Sequence, residues 1–163
     1  AGDTVLVDAG HYAEKKINIS KTIYLKGINY PVIDGEKKFE IIYVKADNVI
    51  VEGFKIMHSG ISSIDDISGI KVVDSKNVII RNNILEDNFF GIHIQHSVNC
   101  LVENNQITAS GSQEQESGNG IHCWQGDSMR IIGNKISGHR DGIYFEFVKH
   151  SIIWRNTSTK NIR

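Results

Sequence analysis

The chain has 163 residues, with 18 Lys and Arg against 19 Asp and Glu and a formal charge of −1. A length of this size predicts one domain, residues 1–163, and the absence of any basic block argues against nucleic acid as the main partner. Hydrophobic residues make up 40% of the chain, enough for a real core, yet no apolar run approaches the length of a membrane span.

Residues 3–47 read as irregular first coils. Thr4–Val7, Ile17–Ile19, Ile23–Leu25 and Ile41–Val44 are short runs of β-favouring residues. Gly10, Gly27, Pro31 and Gly35 punctuate them. From Asn48 onward a repeat is regular. Asn48-VIVEGFKI, Asn77-VIIRNNIL, Asn99-CLVENNQI, Ser128-MRIIGNKI and Ser151-IIWRNTST align without gaps, their starts separated by 29, 22, 29 and 23 residues. Between these runs fall Gly-Ile strands at Gly69, Gly91, Gly120 and Gly142, spaced 22, 29 and 22. The two long intervals hold about seven extra residues each, around Ser59–Ser68 and Ser110–Ser117. Insertions at one point of a repeat map to loops on one face of a stack. A period near 22 residues predicts a solenoid: a right-handed parallel β-helix with three short strands per coil. The chain starts without a methionine and stops inside a repeat at Arg163. It reads as a piece of a longer protein, truncated at its C-terminal end, so missing targeting signals carry no information.

Alternation along strands sorts the repeat into columns. Inward columns are Val49, Val78, Cys100, Met129, Ile152; then Val51, Ile80, Val102, Ile131, Trp154; then Ile56, Leu85, Ile107, Ile136. The Gly-Ile strand adds Ile70, Ile92, Ile121, Ile143, and then Val72, Ile94, Cys123, Phe145. Cys100 and Cys123 therefore read as small buried thiols rather than a redox or metal pair. Asn83, Asn105 and Asn134 share one turn position and predict an amide ladder. Glu52, Arg81 and Glu103 share an exposed position and predict cross-strand ion pairs.

The outward face of the Gly-Ile strand differs. Its columns are Lys71, His93, His122, Tyr144, and then Val73, Gln95, Trp124, Glu146. His93 and His122 fall on adjacent coils with Cβ atoms about 5 Å apart. Two imidazoles at that spacing can share a soft or borderline ion such as copper; the alternative is surface without a ligand. Trp124 and Tyr144 beside them read as contact surface. Met57 and His58 open the first insertion and offer further soft ligands. His139, Arg140 and Asp141, before Gly142 at a coil corner, read as a turn motif, an ion pair or a partner contact. His96 sits in a turn, and His11 and His150 lack informative neighbours.

The strings GNGIHCW from Gly118, GHRDGIYFEFV from Gly138 and SIIWRNTSTKNIR from Ser151 resemble the NosD family, periplasmic accessory proteins for maturation of the copper sites of nitrous oxide reductase. The likeness is densest over Gly118–Arg163, and the coil pattern extends it across most of the chain. The resemblance implies a non-enzymatic periplasmic β-helix that docks on an ABC transporter's membrane and ATPase subunits. It also implies contact with a copper chaperone or the reductase, with the membrane reached only through the transporter. The partner-facing residues expected are Lys71, Gln95, Trp124, Tyr144, Glu146, His139 and Arg140, with copper at His93, His122, Met57 and His58.

The rival class is a carbohydrate-binding or carbohydrate-active β-helix, a lyase, hydrolase or epimerase, by analogy of fold. Glycoside hydrolysis needs carboxylates placed across a sugar bond. Glu146 is the only acid in the outward Gly-Ile columns, so no converging acidic cluster is legible. A third class is a purely structural β-helix without metal or defined partner.

Overall fold

The computed structural model describes residues 2–14, 16–62, 65–111 and 113–163. Three parallel sheets run the length of a right-handed β-helix. The first stacks β1 (Asp3–Val7), β4 (Ile23–Gly27), β7 (Ile50–Glu52), β10 (Ile79–Arg81), β13 (Leu101–Glu103), β16 (Arg130–Ile132) and β19 (Ile152–Trp154). The second stacks β2 (His11–Tyr12), β5 (Val32–Asp34), β8 (Lys55–Met57), β11 (Ile84–Glu86), β14 (Gln106–Thr108), β17 (Lys135–Ser137) and β20 (Thr157–Thr159). The third, which carries the Gly-Ile strands, stacks β3 (Ile17–Ile19), β6 (Ile42–Val44), β9 (Ser68–Val73), β12 (Phe90–Gln95), β15 (Ile121–Trp124) and β18 (Ile143–Glu146). The first coils join the same three sheets. His11–Tyr12 and Val32–Asp34 complete them as strands the sequence pattern did not mark. Among the described residues no helix is long and apolar enough to cross a membrane.

The corners explain why the coils close so tightly. Gly53, Asn82, Asn104, Gly133 and Arg155 take positive φ between the first and second sheets. A left-handed residue turns the chain within two positions, and Asn and Gly tolerate it best. The residue after each turn points inward. Asn83, Asn105, Asn134 and Asn156 occupy that position and form the expected amide ladder. Asn83 Nδ2 donates to Asn105 Oδ1 at 3.1 Å, Asn105 Nδ2 to Asn134 Oδ1 at 3.0 Å, and Asn134 Nδ2 to Asn156 Oδ1 at 2.9 Å. Arg81 pairs with Glu52 at 2.9 Å and reaches Glu103 at 3.9 Å, as the charge column predicts. The Gly-Ile glycines mark close approach of backbones. A Cβ on Gly91 would lie 2.5 Å from the Gly120 carbonyl oxygen, and one on Gly120 would lie 2.7 Å from that of Gly142.

The inward columns form one continuous core from Ile19 to Ile136. Both cysteines lie in it as free thiols. The last coil corrects the sequence register by one residue. Ile131 pairs with Ile153 and Ile132 with Trp154, and Met129 N–H donates to Ser151 Oγ at 2.8 Å. The repeat therefore restarts at His150, 22 residues after Ser128, and not at Ser151. Ser151, not Ile152, follows Met129 in its column, and Ile153, not Trp154, continues the Ile131 column. Trp154 points outward, 53% exposed, with the Arg155 guanidinium 4.1 Å from its ring. Three successive apolar residues, Ile152-Ile153-Trp154, leave the inward phase undefined by alternation; the hydrogen-bond ladder sets it.

Candidate functional site

Both insertions fold over the outer face of the third sheet. The first spans residues 58–67, between β8 and β9. The second spans residues 109–120, between β14 and β15, and carries a 3-10 turn at Glu114–Glu116. Residues 63, 64 and 112 of these insertions lie outside the described set. The insertions convert an outward-facing strand surface into a partly covered one. His93 and His122 pair in register on β12 and β15, as the column predicts. Their side chains leave the cylinder, yet His93 is fully buried and His122 is 9% exposed. This corrects the expectation of exposed histidines. Alternation reports which side of the sheet a residue takes; it does not report what lies on that side.

The two imidazoles stack with ring centroids 4.7 Å apart and planes inclined by 6°. Phe90 packs on both, at 5.6 and 5.7 Å. Tyr144, 41% exposed, meets His122 edge-on at 5.2 Å. None of the four ring nitrogens of the pair has a hydrogen-bond partner. The nearest carboxylates stand 3.8 Å off, Asp66 from His93 and Glu146 from His122. Burial disfavours the imidazolium and pushes His93 down to about 3, helped by repulsion from His122 whenever that ring is protonated and from Lys71, and weakly opposed by the Asp66 main chain. His122 is lowered chiefly by burial, against the pull of Asp66 and Glu146. Both rings are therefore neutral at ordinary pH.

Neutral imidazole is the right donor for copper. Lone pairs lie in the ring planes, however, and parallel planes do not meet. The stack as it stands does not converge on one ion; a shared ion requires one ring to rotate out. Among the described residues no group of three or more His, Cys, Asp or Glu side chains forms a metal-ligand set. Met57 and His58 lie elsewhere. His58 Nδ1 is held by the Asp34 carboxylate at 3.1 and 3.2 Å. Burial pushes the Asp34 carboxyl up, but the Glu36 N–H and His58 outweigh it and hold the group below its usual range. His58 lines a second cleft of about 290 Å³, divided from the histidine pair by Ile61 and Phe89.

The main cleft has a volume of about 590 Å³. Its floor is His122, Tyr144 and Glu146; Ile61, Ser62 and Asp66 come from the first insertion, Glu114 and Gln115 from the second. Phe89, Phe90, Arg140, Asp141 and Arg163 complete the lining. Four carboxylates thus share one cleft, a gathering the outward columns did not reveal. Asp66 and Glu114 sit in insertions, and Asp141 at a corner, where no period applies. The insertions themselves were the usable signal.

The remaining expected contact residues divide. Tyr144, Glu146 and Arg140 line the cleft. Lys71 pairs with Glu40 at 3.5 Å and donates to the Asp66 carbonyl at 3.2 Å. Gln95 and Trp124 sit side by side along the neighbouring column, with Trp124 packed on His96 at 4.7 Å. His139 is fully buried beneath the second insertion, its Nδ1 3.2 Å from Ser117 Oγ, and burial pushes it down to about 4. It presents no surface to a partner in this state.

Residues 16–136 match the family described as the right handed beta helix region. The chain belongs to this family. Among family members and relatives, the probable ABC transporter binding protein NosD of Pseudomonas aeruginosa is 27% identical over 136 residues, covering 82% of this chain and 32% of that protein. Its namesake from Stutzerimonas stutzeri is 26% identical, covering 82% and 31%. The chain spans about a third of the length of these curated relatives. Both relatives are named as binding proteins. Solved β-helix structures resemble it distantly. A putative glycosyl hydrolase from Parabacteroides merdae has a TM-score of 0.47 at 10% identity, over 95% of this chain and 77% of that one. The enzymatically active domain of Bacteriophage CBA120 tailspike protein 2 has a TM-score of 0.35 at 12% identity, over 98% and 39%. Likeness this remote carries no information about chemistry.

Proposed function

We propose that this β-helix is a non-enzymatic docking scaffold of the NosD kind, which engages a component of an ABC transporter in the periplasm and assists copper-site maturation of nitrous oxide reductase. The observation that carries the reading is the similarity to two NosD proteins over 82% of the chain, each named as an ABC transporter binding protein. The covered face of the third sheet supports it, because two insertions and the exposed Tyr144 build a shaped surface on one side of an otherwise regular stack. In this reading the copper chaperone and the reductase are further partners. Copper held by His93 and His122 is part of the proposal and requires one ring to leave the stack.

Surface plasmon resonance of this chain against purified transporter membrane and ATPase subunits tests the docking. Saturable binding that weakens when Tyr144 is replaced by alanine is the expected result. No binding to either subunit overturns the reading.

The gathering of Asp66, Glu114, Asp141 and Glu146 in one cleft favours a second reading, a carbohydrate site. Saturable binding of an oligosaccharide from a glycan array, lost in Glu146→Gln, would select it.

A further inference from the structure

The charges in the main cleft do not cancel evenly. Arg140 is committed: its Nε donates to Asp141 Oδ2 at 3.1 Å and its Nη2 to Asn119 Oδ1 at 3.1 Å. Arg163 pairs with Glu114. Those two ion pairs neutralise two of the four carboxylates. Asp66 and Glu146 remain. Among the described residues, the basic side chain paired with Asp66 is His93 and the one paired with Glu146 is His122, each at 3.8 Å. Both are uncharged imidazoles in this buried setting, so neither neutralises its neighbour. Lys71 turns to Glu40 and to the Asp66 main chain instead.

A second feature points the same way. His122, nine-tenths buried, lines the cleft with both ring nitrogens lacking partners. A neutral imidazole nitrogen accepts a hydrogen bond. Tyr144 and Phe89 border the same space and present aromatic rings. Unneutralised carboxylates and aromatic walls, with a buried imidazole nitrogen lacking a partner behind them, are the complement of one chemical group, a cation with several N–H donors.

We propose that this cleft receives a cationic side chain, arginine above lysine, projected by a protein partner, with Asp66 and Glu146 as its acceptors and Tyr144 against its face. The proposal rests on the docking reading and names the chemistry of the partner. Arginine is preferred because its planar fork reaches several acceptors at once and stacks on aromatic rings. An anionic ligand meets repulsion from both carboxylates. A neutral sugar leaves their charges uncompensated.

The test has two arms. In the first, nuclear magnetic resonance follows titration of the chain with N-acetyl-argininamide, whose only charge is the guanidinium. Saturable shifts at Tyr144 and His122 are expected, with the midpoint raised by at least about tenfold in Asp66→Asn/Glu146→Gln, since one lost charge-assisted hydrogen bond already has that scale. Glu103→Gln, on the first sheet, leaves the midpoint unchanged. Equal midpoints for parent and double variant, or equal shifts with neutral N-acetyl-glutaminamide or a methyl glucoside, overturn the proposal. The second arm repeats the transporter-subunit binding with the double variant. Parent binding that the variant retains in full overturns the cationic anchor and leaves docking intact. Absence of parent binding overturns the docking reading, while the argininamide titration still decides the chemistry of the cleft.

Discussion

Replacement of Asn105 by alanine tests the internal amide ladder most directly. Asn105 is buried and makes four contacts through its side chain. Its Nδ2 donates to the Ile80 carbonyl at 3.0 Å and to Asn134 Oδ1 at 3.0 Å. Its Oδ1 accepts from the Asn83 main-chain N–H at 3.0 Å and from Asn83 Nδ2 at 3.1 Å. Alanine removes all four, but not all partners are stranded. Asn83 Nδ2 keeps the Val51 carbonyl, and Asn134 Oδ1 keeps the Asn105 N–H. The Asn83 N–H loses its acceptor in a buried position, which costs about 1–3 kcal/mol. The other lost bonds add about 1 kcal/mol each at most. The expected destabilisation therefore lies between about 1 and 6 kcal/mol. Asn77 belongs to a second ladder, donating to Asn48 at 3.0 Å and accepting from Asn99 at 2.7 Å, but that ladder is exposed. Water replaces its bonds, and glycine keeps its positive φ of 58°. Asn77→Gly should cost less than about 1 kcal/mol. Urea unfolding followed by circular dichroism compares the two, and hydrogen exchange reads the Asn83 amide directly. Equal losses in the two variants, or an Asn105→Ala loss below about 1 kcal/mol, would refute the view that the buried ladder holds the corners.

Other outcomes follow from the same geometry. Ile131 is fully buried, in register with Val102 and Ile153, so Ile131→Asp buries a charge without a partner and should unfold the chain, at more than about 4 kcal/mol; a variant melting within a few degrees of the parent contradicts the register. His93 sits near 3 and His139 near 4, below the unfolded value of about 6.5. The unfolded chain thus takes up protons first as pH falls. Stability is full above about pH 6.5 and declines as pH drops toward the folded values, by up to about 1.4 kcal/mol per pH unit per histidine. Denaturant midpoints measured from pH 7 to 4 should show the decline and a shallower slope in His93→Leu; a flat parent profile counts against the buried neutral pair. Copper(I) competition against a chelator should show affinity that is lost in His93→Ala/His122→Ala. Equal affinity in parent and double variant removes both residues as ligands.

Much of the architecture is local and therefore written in the sequence. Each coil repeats the same alternation, so columns such as Val51, Ile80, Val102 and Ile131 can be read without knowing the fold. Stacked Asn, stacked Gly-Ile and the Glu52-Arg81-Glu103 charges follow from the same period. Where the alternation is degenerate the reading slips, as at Ile152-Ile153-Trp154. The amide ladder held the correction: Asn156 falls 22 residues after Asn134, and only the restart at His150 brings it into line.

The candidate site divides along the same physical boundary. The sequence by itself determined that His93 and His122 neighbour one another on the outer side of the third sheet, because strand period and coil period are both fixed by covalent spacing. Only the tertiary structure decided that this outer side is buried, that the rings stack in parallel, and that four carboxylates share a cleft with Arg140 and Arg163. Those features depend on how two aperiodic insertions fold back across the sheet. No repeat governs an insertion, and contacts between segments distant in sequence, such as Arg163 with Glu114, exist only once the coils have stacked.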